Sequence, residues 1–140
     1  MVVPEKAIIL IAGMGTRLRP STETMPKCLT EVHGKSILEN ALERLSGVGV
    51  KETVLVTGYL GHEVRKCINT SFARMNISYV VSDVYDKTNN SYSLWIALKD
   101  LYEDVVILEG DIFFEEKLLT NFLAAPHDDI TLVEKWNPNL

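Results

Sequence analysis

A chain of 140 residues, 46% of them hydrophobic and 24% charged, is long enough to bury a core and has the make-up of an ordinary globular protein. Its net charge of -5 excludes a general nucleic-acid binder, which needs a basic face, and no apolar stretch approaches the ~20 residues of a membrane span. The opening MVVPEK lacks the regions of a signal peptide, and two cysteines, Cys28 and Cys67, are too few for an oxidised framework, so a reduced cytoplasmic setting is expected.

Lys6 to Ile11 is a continuous apolar run of the kind that forms a parallel strand buried on both faces. Residues 36–46 carry Ile37, Leu38, Ala41, Leu42 and Leu45 at helical spacing, and Gly47 and Gly49 end that helix. Glu52 to Thr57 predicts the second strand, His62 to about Phe72 a second helix, and Ile77 to Val81 the third strand. A polar stretch over 82–91 leads into a helix predicted for 92–101. Val105 to Leu108 predicts a fourth strand, Glu115 to Ala124 a helix, and Ile130 to Val133 a fifth strand. Strands alternating with helices indicate an α/β fold, a doubly wound and mostly parallel sheet with helices on both faces. No repeat, low-complexity tract or linker divides residues 1–140, so one domain is expected. In such sheets ligands bind beyond the carboxyl ends of the strands. Three polar clusters fall there: the glycine loop after strand one, the Asn89-Asn90-Ser91 stretch after strand three, and Glu109-Gly110-Asp111 after strand four.

The segment IAGMGTRLRPSTETMPK, residues 11–27, sets Arg17, Arg19 and Lys27 against Glu23 alone, on an otherwise acidic chain. Gly13 and Gly15 allow backbone N–H groups to approach a ligand closely, and local positive charge beside them suits phosphate. The loop is neither a Walker A motif, which needs Gly-Lys-Ser/Thr, nor the dinucleotide fingerprint, since Leu18 stands where the third glycine belongs. A strand-to-loop turn can also use glycines without binding anything, and Arg19 can be a solvated loop charge. Asp111, directly after Gly110, reads either as a ligand-binding carboxylate or as the cap of the helix that follows.

Ala12-Gly13-Met14-Gly15-Thr16-Arg17-Leu18-Arg19-Pro20, followed by Pro26-Lys27-Cys28-Leu29, resembles the signature of the sugar-phosphate nucleotidylyltransferase superfamily, and the likeness runs from the first strand to at least Asp111. The resemblance implies a Rossmann-like nucleotidyltransferase fold. It implies that Ala12 to Thr16 cradle a triphosphate through backbone groups, that Arg17 grips the β,γ-phosphates, and that Lys27 lies beside the α-phosphorus under attack. Asp111 would be a Mg²⁺ ligand. The family's second metal carboxylate comes from a later strand than any here; Asp128 and Asp129 do not match it, so either the chain is C-terminally truncated relative to the family or the site is completed otherwise.

Hexose-1-phosphate members carry a glycine-containing motif where this chain has Thr88 to Trp95, with no glycine. The segment Asn89-Asn90-Ser91-Tyr92-Ser93-Leu94-Trp95 instead resembles the cytidylyltransferase branch that includes LicC-type phosphocholine and 2-aminoethylphosphonate enzymes. Asn89, Asn90, Ser91 and Ser93 offer the mixed donors and acceptors that a cytosine edge requires, while Asn90 or Ser91 could equally cap the helix starting near Tyr92. A cationic acceptor would call for aromatic and acidic groups, with Trp136 beside Glu134 and Tyr85 beside Asp86 as candidates; Trp95 is expected in the core. The resemblance thus implies transfer of a cytidylyl group from CTP to a small phosphorylated or phosphonate acceptor with release of pyrophosphate. It calls for no nucleic-acid or membrane partner, and it leaves a homo-oligomer open. His33, His62 and His127 are expected at the surface. Two alternatives stand beside this reading: a hexose-1-phosphate uridylyl- or thymidylyltransferase, and a non-catalytic nucleotide-binding module that keeps the fold.

Overall fold

In the computed structural model, which describes residues 3–72 and 75–133, four strands form one parallel sheet. They are β1 (Lys6–Ile11), β4 (Glu52–Thr57), β5 (Asn76–Val81) and β6 (Val105–Glu109), in the order β5-β4-β1-β6. β1 is central, and five of its six residues are buried, as a strand covered on both faces requires. The register is flush: Ile11 pairs with Thr57, Thr57 with Val81, and Leu10 with Glu109.

The helices are α1 (Ile37–Gly47), α2 (Gly61–Ser71), α3 (Asn90–Leu98) and α4 (Glu116–Leu123). The alternation along β1 divides the core between the two sheet faces. Ala7, Ile9 and Ile11 cluster with Leu38, Leu42 and Leu45 of α1, Val64 and Ile68 of α2, and Leu119 of α4. Ile8 and Leu10 point the other way and meet Leu94, Ile96, Ala97 and Leu98 of α3. The chain therefore winds outward from β1 through β4 to β5 with its helices on one face. It then crosses through α3 on the other face and returns to β6, on the far side of β1. Right-handed crossovers force this change of face when the winding direction reverses. The reversal opens a crevice between the carboxyl ends of β1 and β6.

Element positions follow the sequence expectations within about two residues except at the end of α3, which stops at Leu98 and not at 101, and at two further places. Residues 130–133 form no strand: they lie outside any ladder, with Leu132 57% and Val133 79% exposed. Apolar β-formers make a strand only where a neighbour offers backbone groups to pair with. The unforeseen element is a short antiparallel hairpin, β2 (Glu31–Val32) and β3 (Lys35–Ser36), turned by His33 and Gly34, both at positive φ (51° and 79°). Two successive positive φ values mark a tight hairpin turn, which more often carries Asn-Gly. The hairpin delivers Ser36 to the start of α1. There its hydroxyl accepts from Glu39 N–H at 3.1 Å, and Ser36 N–H donates to the Glu39 carboxylate at 2.8 Å. No helix among the described residues is long and apolar enough to cross a membrane.

The junction of β1 and β6 leaves no room for a side chain at residue 110. Gly110 N–H donates to the Leu10 carbonyl at 3.0 Å. A Cβ on Gly110 would stand 2.1 Å from Ile11 Cγ2 and 2.7 Å from the Leu10 oxygen. Gly110→Ala is expected to destabilise the protein by about 1–3 kcal/mol through overpacking, read from urea unfolding; an unchanged midpoint would show that the junction can relax.

Candidate active site

The chain leaves β1 at Ala12, which is buried and whose carbonyl accepts Tyr59 N–H at 3.1 Å. Gly15 adopts a left-handed conformation (φ 60°) and opens a 3-10 turn over Thr16–Leu18. A Cβ there would be 3.1 Å from both Lys27 Cβ and Thr22 Cγ2, so the left-handed conformation favours glycine and the space for a side chain is tight. Thr22 is 1% exposed and donates its hydroxyl to the Gly15 carbonyl at 2.8 Å; Tyr59 donates its hydroxyl to the Glu23 carbonyl at 3.0 Å. The loop is thus fastened to the body of the domain. Gly13 differs: its φ is not positive and nothing lies within 4 Å of where a Cβ would be. Its bare backbone faces a cleft.

That cleft, about 230 Å³, lies where the sheet reverses direction. Gly13, Gly15, Thr16 and Arg17 line it from the loop, and Lys27 and Cys28 from a second 3-10 turn, Lys27–Leu29. Asn90 reaches it from the first turn of α3, and Glu109, Gly110 and Asp111 from the end of β6. Residues up to 101 positions apart in sequence, Leu10 to Asp111, therefore share one concavity, and most of those named were expected there from sequence.

Two polar pairs hold the cleft together. Lys27 Nζ lies 2.7 Å from Asp111 Oδ2, with side chains 30% and 46% exposed. Asp111 does not cap a helix: α4 starts five residues later, behind Glu115. The intervening segment is held by Asn40 of α1, fully buried, whose side-chain oxygen accepts Phe114 N–H at 3.1 Å. The second pair joins α3 to β6, where Asn90 Nδ2 donates to Glu109 Oε2 at 2.8 Å. Sequence reasoning gave Glu109 no role. The signal was its place two residues before Asp111, since alternate residues of a strand share a face.

Other expected site residues lie differently. α3 begins at Asn90 and not near Tyr92, and its cap is Asn89, whose side-chain oxygen accepts Ser91 N–H at 3.1 Å. The capping role therefore belongs to Asn89, and neither Asn90 nor Ser91 fills it. Ser91 is exposed but does not line the cleft, and Ser93 is 3% exposed, turned into the interior. Ala12 and Met14 belong to the loop without lining the cleft. Arg19 is exposed beyond it. Trp95 is 57% exposed and packs against Tyr92, with ring centroids 5.7 Å apart. It was expected in the core, but α3 is apolar nearly all round, so composition could not tell its buried side from its outer one. Tyr85 lies over Gly58 and pairs with Tyr59 at 6.2 Å, apart from the cleft lining; Glu134 and Trp136 lie outside the described residues. The three histidines are exposed as expected, and so are Asp128 and Asp129.

Residues 6–136 match the nucleotidyl transferase family. The chain belongs to that family. Among its relatives, the CMP-5'-(3-aminopropyl)phosphonate synthase of Streptomyces rubellomurinus is 44% identical over 124 residues, covering 89% of this chain and 20% of that protein. The choline-phosphate cytidylyltransferase of Streptococcus pneumoniae is 35% identical over 119 residues, covering 85% of this chain and 50% of the relative. The solved structure of CTP:phosphocholine cytidylyltransferase (LicC) from Streptococcus pneumoniae superposes with a TM-score of 0.68 at 34% identity, over 78% of this chain and 46% of that one. This nucleotidyl transferase chain thus spans half the length, or less, of these relatives.

Cys28 in the cleft lining is 3% exposed, and burial pushes its thiol up to about 12. It stays protonated at neutral pH and serves as wall, not nucleophile. Burial also raises the Cys67 thiol, which is only half-buried. At pH 8 iodoacetamide should modify Cys67 at least about tenfold faster than Cys28 in the native protein, followed by peptide mass mapping; equal rates would show that Cys28 is open to solvent.

Proposed function

We propose that this chain forms the nucleotide-binding part of a Mg²⁺-dependent cytidylyltransferase acting in the cytoplasm. The enzyme would transfer CMP from CTP to a small phosphorylated or phosphonate acceptor and release pyrophosphate. The observation that carries it is the convergence of the glycine loop, Arg17, Lys27 and Asp111 on one cleft at the reversal point of the sheet. The relatives' names support cytidine and a phospho- or phosphonate acceptor. The free Cys28 and Cys67 thiols support a reducing compartment.

In this reading the backbone of Gly13 and Gly15 lies along the triphosphate, Arg17 binds its terminal phosphates, and Lys27 contacts the α-phosphate. An acceptor oxygen forms a new bond to the α-phosphorus as the bond to the β-phosphate oxygen breaks, and pyrophosphate leaves with that electron pair. An acceptor already ionised needs no general base, and nothing is routed through a covalent enzyme intermediate. Catalysis then rests on orientation and on cationic groups that meet negative charge as it grows in the transition state.

The residues present fit Mg²⁺ of a particular kind. Among the described residues no three His, Cys, Asp or Glu side chains gather into a metal cage. Mg²⁺ commonly takes one or two carboxylates together with substrate phosphates, and Asp111 is such a carboxylate, exposed at the cleft. Held there, the ion would neutralise phosphate charge. Lys27 engages only Asp111 Oδ2, so the other oxygen is open to the ion, and loosening the pair costs little, since half-exposed ion pairs are worth under about 1 kcal/mol.

CTP with Mg²⁺ at a hundredfold excess over its dissociation constant should stabilise the protein by about 2.7 kcal/mol, seen as a raised melting temperature. UTP, dTTP, ATP and GTP should do so less. Asp111→Asn should abolish the Mg²⁺ dependence. A preference for UTP or dTTP would move the assignment to sugar activation, and no shift with any nucleotide would mean that this chain by itself lacks a working site, so that the binding-module or fragment reading would lead.

A further inference from the structure

The Asn90–Glu109 pair deepens this reading and rests on it. Asn90 has a side-chain amide with a donor end and an acceptor end, whereas a carboxylate only accepts. The 2.8 Å contact between Asn90 Nδ2 and Glu109 Oε2 can therefore be made by the NH₂ end alone. Turning the amide over would set two oxygens against each other. Both side chains line the cleft and both residues are exposed, and among the described residues the Asn90 side chain makes no hydrogen bond besides the one to Glu109.

An amide NH₂ has two hydrogens. Glu109 takes one of them; with the hydrogen on the far side from the carbonyl given to Glu109, the second lies on the same side as the carbonyl oxygen. The free edge of Asn90 thus offers one acceptor and one donor in an order that Glu109 dictates. Cytosine and uracil present these groups in opposite orders. Cytosine has a donor at its 4-amino group and an acceptor at N3; uracil has an acceptor at O4 and a donor at N3. An amide held one way round pairs with one of these edges and opposes the other. A bidentate amide–base pair discriminates by about ten- to a hundredfold.

We propose that Glu109 is a positioning residue for base selectivity: by fixing the orientation of the Asn90 amide, it makes the cleft accept a cytosine edge and reject a uracil edge. Glu109 touches neither the base nor the phosphates in this role. Its influence passes through Asn90, and a glutamine at 109 would cancel it, because a glutamine amide can accept from Asn90 or donate to it. Both orientations of Asn90 would then be tolerated.

The test is titration calorimetry of CTP, UTP and inorganic triphosphate, each with Mg²⁺, against the wild-type chain, Glu109→Gln, Asn90→Ala and the double variant. Residue 109 is exposed, and the melting temperature without ligand checks that each variant folds. Expected is a wild-type preference for CTP over UTP that falls about tenfold or more in Glu109→Gln, chiefly through tighter UTP binding, with triphosphate affinity unchanged. In the Asn90→Ala background Glu109→Gln should have no further effect on the ratio, since the two residues act as one unit. An unchanged CTP:UTP ratio in Glu109→Gln overturns the proposal. So does an equal loss for both nucleotides, which would place the pair against the ribose. A matching loss for triphosphate would place Glu109 at the phosphates or metal and overturn it too. Absence of binding by wild type to every nucleotide would instead sink the nucleotide reading itself.

Discussion

β6 can come within backbone hydrogen-bonding distance of β1 at its carboxyl end because residue 110 has no side chain; a Cβ there would collide with Ile11 and with the Leu10 carbonyl. The rest of the cleft depends on this approach. It places Asp111 against Lys27 and Glu109 against Asn90, joining the glycine loop, α3 and the last strand of the sheet around one concavity. The approach is made from the far side of β1, after the chain has reversed its winding through α3. Chain direction, crossover hand and one glycine together decide where the charged groups meet.

The regular elements were legible because burial leaves a strong mark on composition. A strand covered on both faces must be apolar throughout, so β1 stands out as KAIILI, and α1 shows its buried stripe at helical spacing. The hairpin was not legible, because its strands are two residues long and its turn uses His33 where Asn is the usual cue. The strand expected at 130–133 failed for the opposite reason, a local propensity with no ladder to join.

Within the site, the loop residues, Lys27 and Asp111 were legible as a fixed pattern of glycines and charges. The region around residue 90 was legible only in kind. Which amide caps and which faces the cleft depends on a two-residue difference in where α3 begins: Asn89 caps, Asn90 lines the cleft and Ser93 turns inward. Helical geometry rotates each successive side chain by about 100°, so small errors in a helix start reassign every role. Glu109 stayed hidden because its partner lies 19 residues away on another element.

The contact between Lys27 and Asp111 has a consequence for the order in which a ligand's parts arrive. In the free protein the ammonium and the carboxylate satisfy each other. A lone anion drawn to Lys27 would weaken its hold on the carboxylate, and a lone cation drawn to Asp111 would weaken that carboxylate's hold on the ammonium. A ligand bringing both charges exchanges both partners at once and strands neither. Cation and anion therefore help each other in by the same factor, whichever comes first, as reciprocity of binding free energies demands. On the proposed reading the site would behave as a charge exchanger, with its two side chains sharing their charges until a matched pair takes them over.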